Sequence, residues 1–118
     1  MYILPKLKKK MTDKMLKFVE IGQQTPPKRG VETRKEDFKE IYDEFINRKA
    51  QEQSSRCSQC GVPFCQVHCP LSNNIPDWLK LTAEGRLKEA YELSQSTNNM
   101  PEVCGRICPQ DRLCEGNC

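Results

Sequence analysis

Four of the chain's eight cysteines fall between Cys57 and Cys69 with the spacing C-x2-C-x4-C-x3-C, and a proline follows the last of them. The other four run from Cys104 to Cys118 as C-x3-C-P-x4-C-x3-C. A chain of 118 residues with 30% charged side chains buries little apolar surface, so its fold needs additional cross-links. The two cysteine blocks can provide them as disulfides, as a zinc site or as an iron–sulfur site.

The three kinds of site are supported unequally by the sequence. An even number of cysteines permits disulfides, but these need an oxidising compartment. The start of the chain lacks the apolar stretch of a secretory signal, so we expect a cytoplasmic protein. Zinc sites favour two C-x2–4-C knuckles, and Cys57/Cys60 is the one good knuckle present. Bacterial ferredoxins use C-x2-C-x2-C-x3-C-P, an outline that Cys57–Pro70 keeps with its middle spacing stretched, so an iron–sulfur site fits best.

Charge is distributed unevenly along the chain. The net charge is +3, with eight basic and two acidic residues in 1–30, and eleven basic and fourteen acidic residues in 31–118. Because the basic character does not continue beyond the start, we interpret it as a solvated tail or docking segment, and predict no nucleic-acid partner.

No stretch reaches the roughly 18–20 apolar residues of a membrane span, so no membrane partner is predicted either. The composition predicts an extended basic segment over 1–31 and a helical iron–sulfur domain over 32–118.

Hydrophobic spacing predicts an all-α class with cysteine-bearing loops, because no stretch alternates with the period of a strand. Thr33 and Glu36 match a capping box, and the apolar residues from Phe38 to Ile46 recur at helical spacing, which predicts one amphipathic helix across this region. Another helix is predicted after Asn47. Two more are predicted from Asn74 to Gly85 and over Arg86–Gln95, and the segment from Ser96 to Pro109 is predicted to be mainly loop.

The two cysteine blocks and their surroundings resemble the N-terminal iron–sulfur domain of the small (β) subunits of NADPH-dependent glutamate synthases. The resemblance is carried by RCSQCGVPFCQVHCPLSNNIPDWL (Arg56–Leu79) and MPEVCGRICPQDRLCEGNC (Met100–Cys118), with support from PPKRGVETRKEDFKEIYDEF (Pro26–Phe45). The same domain type occurs at the N-terminus of dihydropyrimidine dehydrogenase. The resemblance implies an α-helical ferredoxin-like domain with two [4Fe–4S] clusters.

The resemblance also implies that the two blocks interleave their ligands. By similarity to dihydropyrimidine dehydrogenase, one cluster takes Cys57, Cys60, Cys65 and Cys118. The other takes Cys69, Cys108 and Cys114. In that relative the fourth ligand of the second cluster is a non-cysteine residue beyond the position of Cys118, which leaves Cys104 as an uncertain ligand. No residue is predicted to act as a catalytic acid, base or nucleophile.

The wider function is likewise an implication of the resemblance. In the family, a module that binds FAD and NADPH follows this domain, and the chain lacks the G-x-G-x-x-G fingerprints of that module, so we expect a fragment truncated before it. The implied role is electron relay from NADPH and FAD toward the large (α) subunit, for glutamate synthesis from glutamine and 2-oxoglutarate. Two alternatives are the equivalent domain of another flavin-dependent NAD(P)H oxidoreductase subunit and a zinc-bound interaction module.

Overall fold

The structure is a computed structural model that describes residues 14–118. Within these residues there is no named strand, and one isolated antiparallel bridge joins Lys28 to Tyr42. The all-α prediction is therefore confirmed. The α-helices of the described part are α1 (Val31–Glu36), α2 (Asn47–Ser54), α3 (Phe64–His68), α4 (Ile75–Ala83), α5 (Leu87–Gln95) and α6 (Pro101–Ile107), with 3₁₀ helices at Lys17–Val19, Gln110–Arg112 and Glu115–Asn117.

Helices α4 and α5 form the packed centre of the domain, and α2 lies against α4. Asn74 occupies the N-cap of α4 and Pro76 its first turn, as the sequence predicts. Gly85 has a φ of 76°, a left-handed conformation that lets the chain turn from α4 into α5. Ala83 is fully buried and Ala90 nearly so, because small side chains allow the two helices to approach closely.

The buried core is small. Ala83, Ala90 and Pro76 are the buried apolar residues of the described part of the chain, and Ser54 and Ser55 at the end of α2 are buried with them. The enclosed Ser55 donates its hydroxyl to the carbonyl of Glu52 at 2.6 Å, which satisfies a polar group that water cannot reach. Such a core stabilises a domain weakly, which agrees with the expected need for cross-links.

The helix predicted from a capping box at Thr33 through the apolar stripe is wrong at its start and beyond α1. Gly30 is the N-cap, no side chain caps the helix, and Thr33 lies inside it. Asp37 has extended backbone, and the stripe from Phe38 to Ile46 is non-helical, with Phe38 fully exposed. The Arg29 side chain explains the difference, since it binds the Asp37 carboxylate at 2.8 and 3.1 Å and the Glu40 carbonyl at 2.6 Å. These contacts and the antiparallel bridge between Lys28 and Tyr42 close residues 28–42, which include α1, into a loop that we call the hairpin.

Helix α6 replaces part of the segment that the sequence predicts to be mainly loop. Pro101 stands in its first turn, where proline's missing N–H has no helical partner to lose. The Arg106 guanidinium pairs with the Glu40 carboxylate and lies 5.4 Å from the centre of the Tyr42 ring. The hairpin thus holds α6 from outside, and α6 contains Cys104 and is capped by Cys108.

Candidate metal centre

The first cysteine block is fixed at both ends by backbone hydrogen bonds. The carbonyl of Cys57 accepts a bond from the N–H of Leu16 at 2.8 Å, which ties the start of the block to the N-terminal segment. Cys65 lies in α3 and Cys69 caps it, with the Cys69 N–H bonded to the Cys65 carbonyl at 3.1 Å. Helix α3 therefore fixes the backbone of both cysteines, and Cys69 leaves the helix in an extended conformation.

The second block repeats this arrangement and adds a tight turn. Cys104 lies in α6 and Cys108 caps it, again joined by an N–H to carbonyl bond of 3.1 Å. Cys114 and Cys118 flank the 3₁₀ helix Glu115–Asn117. The Asn117 side chain donates to the Leu113 carbonyl at 2.7 Å, which holds this last turn closed.

The two blocks meet around Cys65. Its thiol interacts electrostatically with those of Cys57, Cys118 and Cys114, so both ends of the second block's final turn reach the first block. Cys114 also interacts with Cys108 and therefore lies between the two predicted ligand sets. Cys60 and Cys118 are solvent-exposed, whereas the remaining cysteines are half-buried.

A cavity of about 530 Å³ lies on the other side of this junction. Its wall contains the three cysteines of the second predicted set, Cys69, Cys108 and Cys114, together with Cys104. The rest of the wall is largely apolar and includes Trp78 of α4. The structure thus places all four of these thiols around one cavity, although they come from α3, α6 and the turn after it.

The thiols at the junction are harder to ionise than an ordinary cysteine. Burial raises the pKa of Cys65; the N–H of Gln66 opposes this, and the neighbouring thiols add to it. Burial also raises the pKa of Cys114, the Glu115 N–H lowers it, and the Glu115 carboxylate raises it. Metal binding requires thiolates, so loading these sites releases protons.

Several cysteine sulfurs have polar neighbours that sequence reasoning did not identify. The Gln59 side-chain amide donates to Sγ of Cys57 at 3.3 Å, and the Asn98 amide donates to Sγ of Cys104 at 3.0 Å. The Ser58 hydroxyl lies 3.1 Å from Sγ of Cys60. Ser58 and Gln59 sit inside the C-x2-C knuckle, which is the only sequence signal for them, and Asn98 has none.

The donor chemistry fits an iron–sulfur cluster better than a single ion. All eight cysteines are free thiols, and residues 14–118 contain no group of three or more Cys, His, Asp or Glu side chains drawn together as for one metal ion. In a cluster each thiolate binds a different iron, so the ligands stand farther apart than those of one zinc ion. Two groups of spread thiols around a junction and a cavity agree with that arrangement.

No helix in the described part of the chain combines the length and apolarity that a bilayer crossing requires.

Residues 34–118 match the protein family described as dihydropyrimidine dehydrogenase domain II, 4Fe-4S cluster.

Among similar proteins, the glutamate synthase [NADPH] small chain of Azospirillum brasilense is 70% identical over 105 residues, which cover 89% of this chain and 22% of that protein. The small chain from Escherichia coli K12 is 51% identical over 108 residues, 92% of this chain and 23% of the relative. The putative oxidoreductase AegA of the same organism is 50% identical over 94 residues, 79% of this chain and 14% of the relative.

The chain spans about a fifth of the length of the two small chains that it matches. The family match, by contrast, covers both cysteine blocks and every helix from α2 to α6. The chain belongs to the family of dihydropyrimidine dehydrogenase domain II, 4Fe-4S cluster.

Proposed function

We propose that this chain is the electron-transfer domain of a glutamate synthase small subunit and holds two [4Fe–4S] clusters. The observation that carries the proposal is the meeting of the two cysteine blocks, in which Cys65 lies among thiols from both blocks. The 70% identity to a glutamate synthase small chain supports the choice of enzyme. The family match supports the kind of cluster.

The proposed ligand sets follow the interleaved arrangement. The first cluster is held by Cys57, Cys60, Cys65 and Cys118. The second is held by Cys69, Cys108 and Cys114, whose thiols share one cavity wall. Cys104 is on that wall too, so it is the thiol that competes for the second cluster's remaining position.

One-electron exchange is the chemistry that the bound clusters supply. The protein's own residues hold the sulfurs in place, and α4 and α5 line the cavity of the second site. The backbone N–H groups of Gln66 and Glu115 lower the pKa of Cys65 and of Cys114, respectively, which favours the thiolate forms. No side chain of the chain is assigned a proton-transfer step.

In the parent enzyme, as we propose it, NADPH reduces an FAD held by a C-terminal module of the same polypeptide. Electrons then pass through this domain to the large (α) subunit in the cytoplasm. The overall reaction converts L-glutamine, 2-oxoglutarate, NADPH and a proton to two L-glutamate and NADP⁺. This domain's partners are therefore the FAD/NADPH module and the large subunit.

Anaerobic metal analysis tests the proposal. Protein loaded with iron and sulfide should contain about eight irons and eight acid-labile sulfides per chain, since two [4Fe–4S] clusters are proposed. Its brown colour should bleach with dithionite. A colourless protein with stoichiometric zinc would instead establish the zinc-bound interaction module.

Two variants test the ligand sets. Cys69→Ala should lose one cluster, about half of the iron, because it removes a proposed ligand. Cys104→Ala is the matched control and should retain near-normal iron, because Cys104 is outside both sets. Loss of a cluster in Cys104→Ala would make Cys104 the fourth ligand of the second site.

A second candidate function is favoured by the similarity to the putative oxidoreductase AegA, which is 50% identical over the cysteine-bearing region. In that case the same domain would serve another flavin-dependent NAD(P)H oxidoreductase. Co-purification with a glutamate synthase large subunit, and glutamate formation by the reassembled complex, would distinguish the two candidates.

A further inference from the structure

Gln59 has an unusual backbone conformation inside the first cysteine block. Its φ of 52° lies in the left-handed region, which favours glycine and disfavours residues with a side chain. Within the described residues, two other non-glycine residues, Leu16 and Ser72, share this feature. A strained backbone persists where the surrounding structure requires it, and such positions cluster at functional sites.

The Gln59 side chain bridges a cysteine sulfur and a helix. Its Nε2 donates to Sγ of Cys57 at 3.3 Å and to the carbonyl of Pro76 at 2.7 Å. A glutamine amide has two N–H donors, so each contact has its own hydrogen. The backbone N–H of Gln59 points at the same sulfur, at 3.5 Å. Cys57 therefore has two donors from one residue, and Pro76, buried at the start of α4, fixes the amide from behind.

Glycine at this position would keep the backbone donor and relieve the strain but lose the bridge. The chain thus has a glutamine at position 59, although the backbone conformation there favours glycine. From this we infer that Gln59 is a positioning residue that sets the reduction potential of the first cluster, by donating N–H bonds to the Cys57 thiolate and orienting that ligand from α4.

The expected direction of the effect follows from charge. Reduction adds negative charge to a thiolate-ligated cluster, and an N–H donor to a ligand sulfur stabilises that charge. Removing the amide should therefore lower the reduction potential of one cluster. This inference rests on the proposed function, because it requires Cys57 to be a cluster ligand.

Three substitutions in cluster-loaded protein separate the hydrogen bond from the backbone strain. Gln59→Leu removes the amide and keeps the strained conformation. Gln59→Gly removes the amide and relaxes the backbone. The matched control is Gln66→Leu in the same block, because the Gln66 amide bonds Asn74 and the Ser72 carbonyl, and its backbone N–H to Cys65 is retained.

Iron and sulfide per chain are measured first, and then the midpoint potential of each cluster by redox titration followed by electron paramagnetic resonance. We expect both Gln59 variants to keep their iron and to lower the potential of one cluster, with the second cluster and the Gln66→Leu protein unchanged. An unshifted potential in both Gln59 variants would overturn the inference. So would a shift in Gln59→Leu alone, because Gln59→Gly lacks the same amide and the leucine side chain would then be the cause.

The iron measurement separates this inference from the proposed function. Wild-type protein that holds no iron–sulfur cluster would overturn both. Wild-type protein with full iron and unshifted potentials in the variants would overturn the role of Gln59 alone. Loss of a cluster in Gln59→Leu and Gln59→Gly would also count against it, since the residue would then be needed for assembly rather than for setting a potential.

Discussion

The indole N–H of Trp78 donates a hydrogen bond to the side-chain oxygen of Asn73 at 2.8 Å. The amide nitrogen of Asn73 in turn donates to the Ser94 carbonyl at 2.8 Å and to the Thr97 hydroxyl at 2.9 Å. One asparagine therefore joins α4, the end of α5 and the loop that follows the first cysteine block. This side chain holds together the apolar wall of the second cysteine site.

Asn73→Ala should destabilise the cluster-loaded protein by about 1–3 kcal/mol, because it leaves the part-buried Trp78 N–H and Ser94 carbonyl without their partner. Urea unfolding followed by the fluorescence of the single tryptophan measures the change. Asn73→Asp keeps the acceptor for Trp78 and loses both donated bonds, so we expect a smaller loss. Equal midpoints for wild type and Asn73→Ala would contradict the bridging role.

Gly116 lies in the turn between the last two cysteines, where a side chain has no room. A Cβ at this position would lie 1.9 Å from the carbonyl oxygen of Asp111. Since that atom belongs to the backbone, Gly116→Ala should displace the turn, cost about 1–3 kcal/mol or more, and reduce the iron held through Cys118. Iron per chain and urea unfolding provide the two measurements.

Gly105 is the control for that substitution. It lies in α6 beside Cys104, and a Cβ there would meet nothing within 4 Å. Gly105→Ala should keep its iron and stabilise the protein by roughly 0.5–1 kcal/mol, because alanine loses less conformational freedom in a helix. A similar loss of iron in both variants would show that general disturbance of the second block, and not the contact with Asp111, is responsible.

The ion pair between Arg29 and Asp37 predicts a pH dependence. The Arg29 hydrogen bond is the main cause that lowers the pKa of Asp37, and the N–H of Lys39 lowers it further. A lowered pKa in the folded state means that the pair stabilises the hairpin above the ordinary aspartate value of about 3.9. That stabilisation is lost as the pH falls through the lowered pKa of the folded protein.

Arg29→Gln should raise the pKa of Asp37 toward its ordinary value, as measured by carboxyl NMR titration. Lys39→Ala retains the backbone donor and should leave the pKa in place. Arg29→Gln should also loosen the hairpin. The NMR signals of the Tyr42 protons should then shift, because the bridge between Tyr42 and Lys28 weakens. An unchanged Asp37 pKa in Arg29→Gln would mean that this guanidinium does not set it.

Removal of iron should unfold much of the domain. Its buried apolar core within the described residues consists of Ala83, Ala90 and Pro76, which is too little to offset the entropy of ordering the cysteine loops. We expect chelation under reducing conditions to lower the helical circular dichroism signal and abolish the cooperative thermal transition. Recovery on adding iron and sulfide would exclude chemical damage. A metal-free chain with a full helical signal would show that the helices support themselves.

Local signals predicted the parts of the fold that local contacts determine. Asn74, Pro76 and Gly85 mark the bounds of α4 by their own backbone preferences, and the structure follows them. The stripe that starts at Phe38 failed because its conformation is set by Arg29, a residue outside the stripe. A periodic pattern shows which residues could share a helix face, but it does not show a competing side chain from elsewhere.

The candidate site also has features that the sequence predicted and features that it did not. Spacing predicted that the cysteines are metal ligands, and the assignment of Cys65 and Cys118 to one cluster is an implication of the family resemblance. Residues that meet across more than about 50 positions leave no periodic pattern in one sequence. Bringing them together also costs loop-closure entropy, which sequence spacing does not show. The amides of Gln59 and Asn98 were missed because a hydrogen bond to sulfur depends on side-chain direction, which sequence spacing does not reveal.

The meeting of α3, which carries Cys65, with the turn between Cys114 and Cys118 also sets an order of events during protein synthesis. The ribosome delivers the first block before its structural partners exist, and at about 5–20 residues per second the interval is on the order of 3 to 10 s. During that time the thiols from Cys57 to Cys69 have no closed site around them and are open to oxidants and stray metals. The yield of correctly loaded protein should therefore depend on oxygen during translation, before iron is ever inserted.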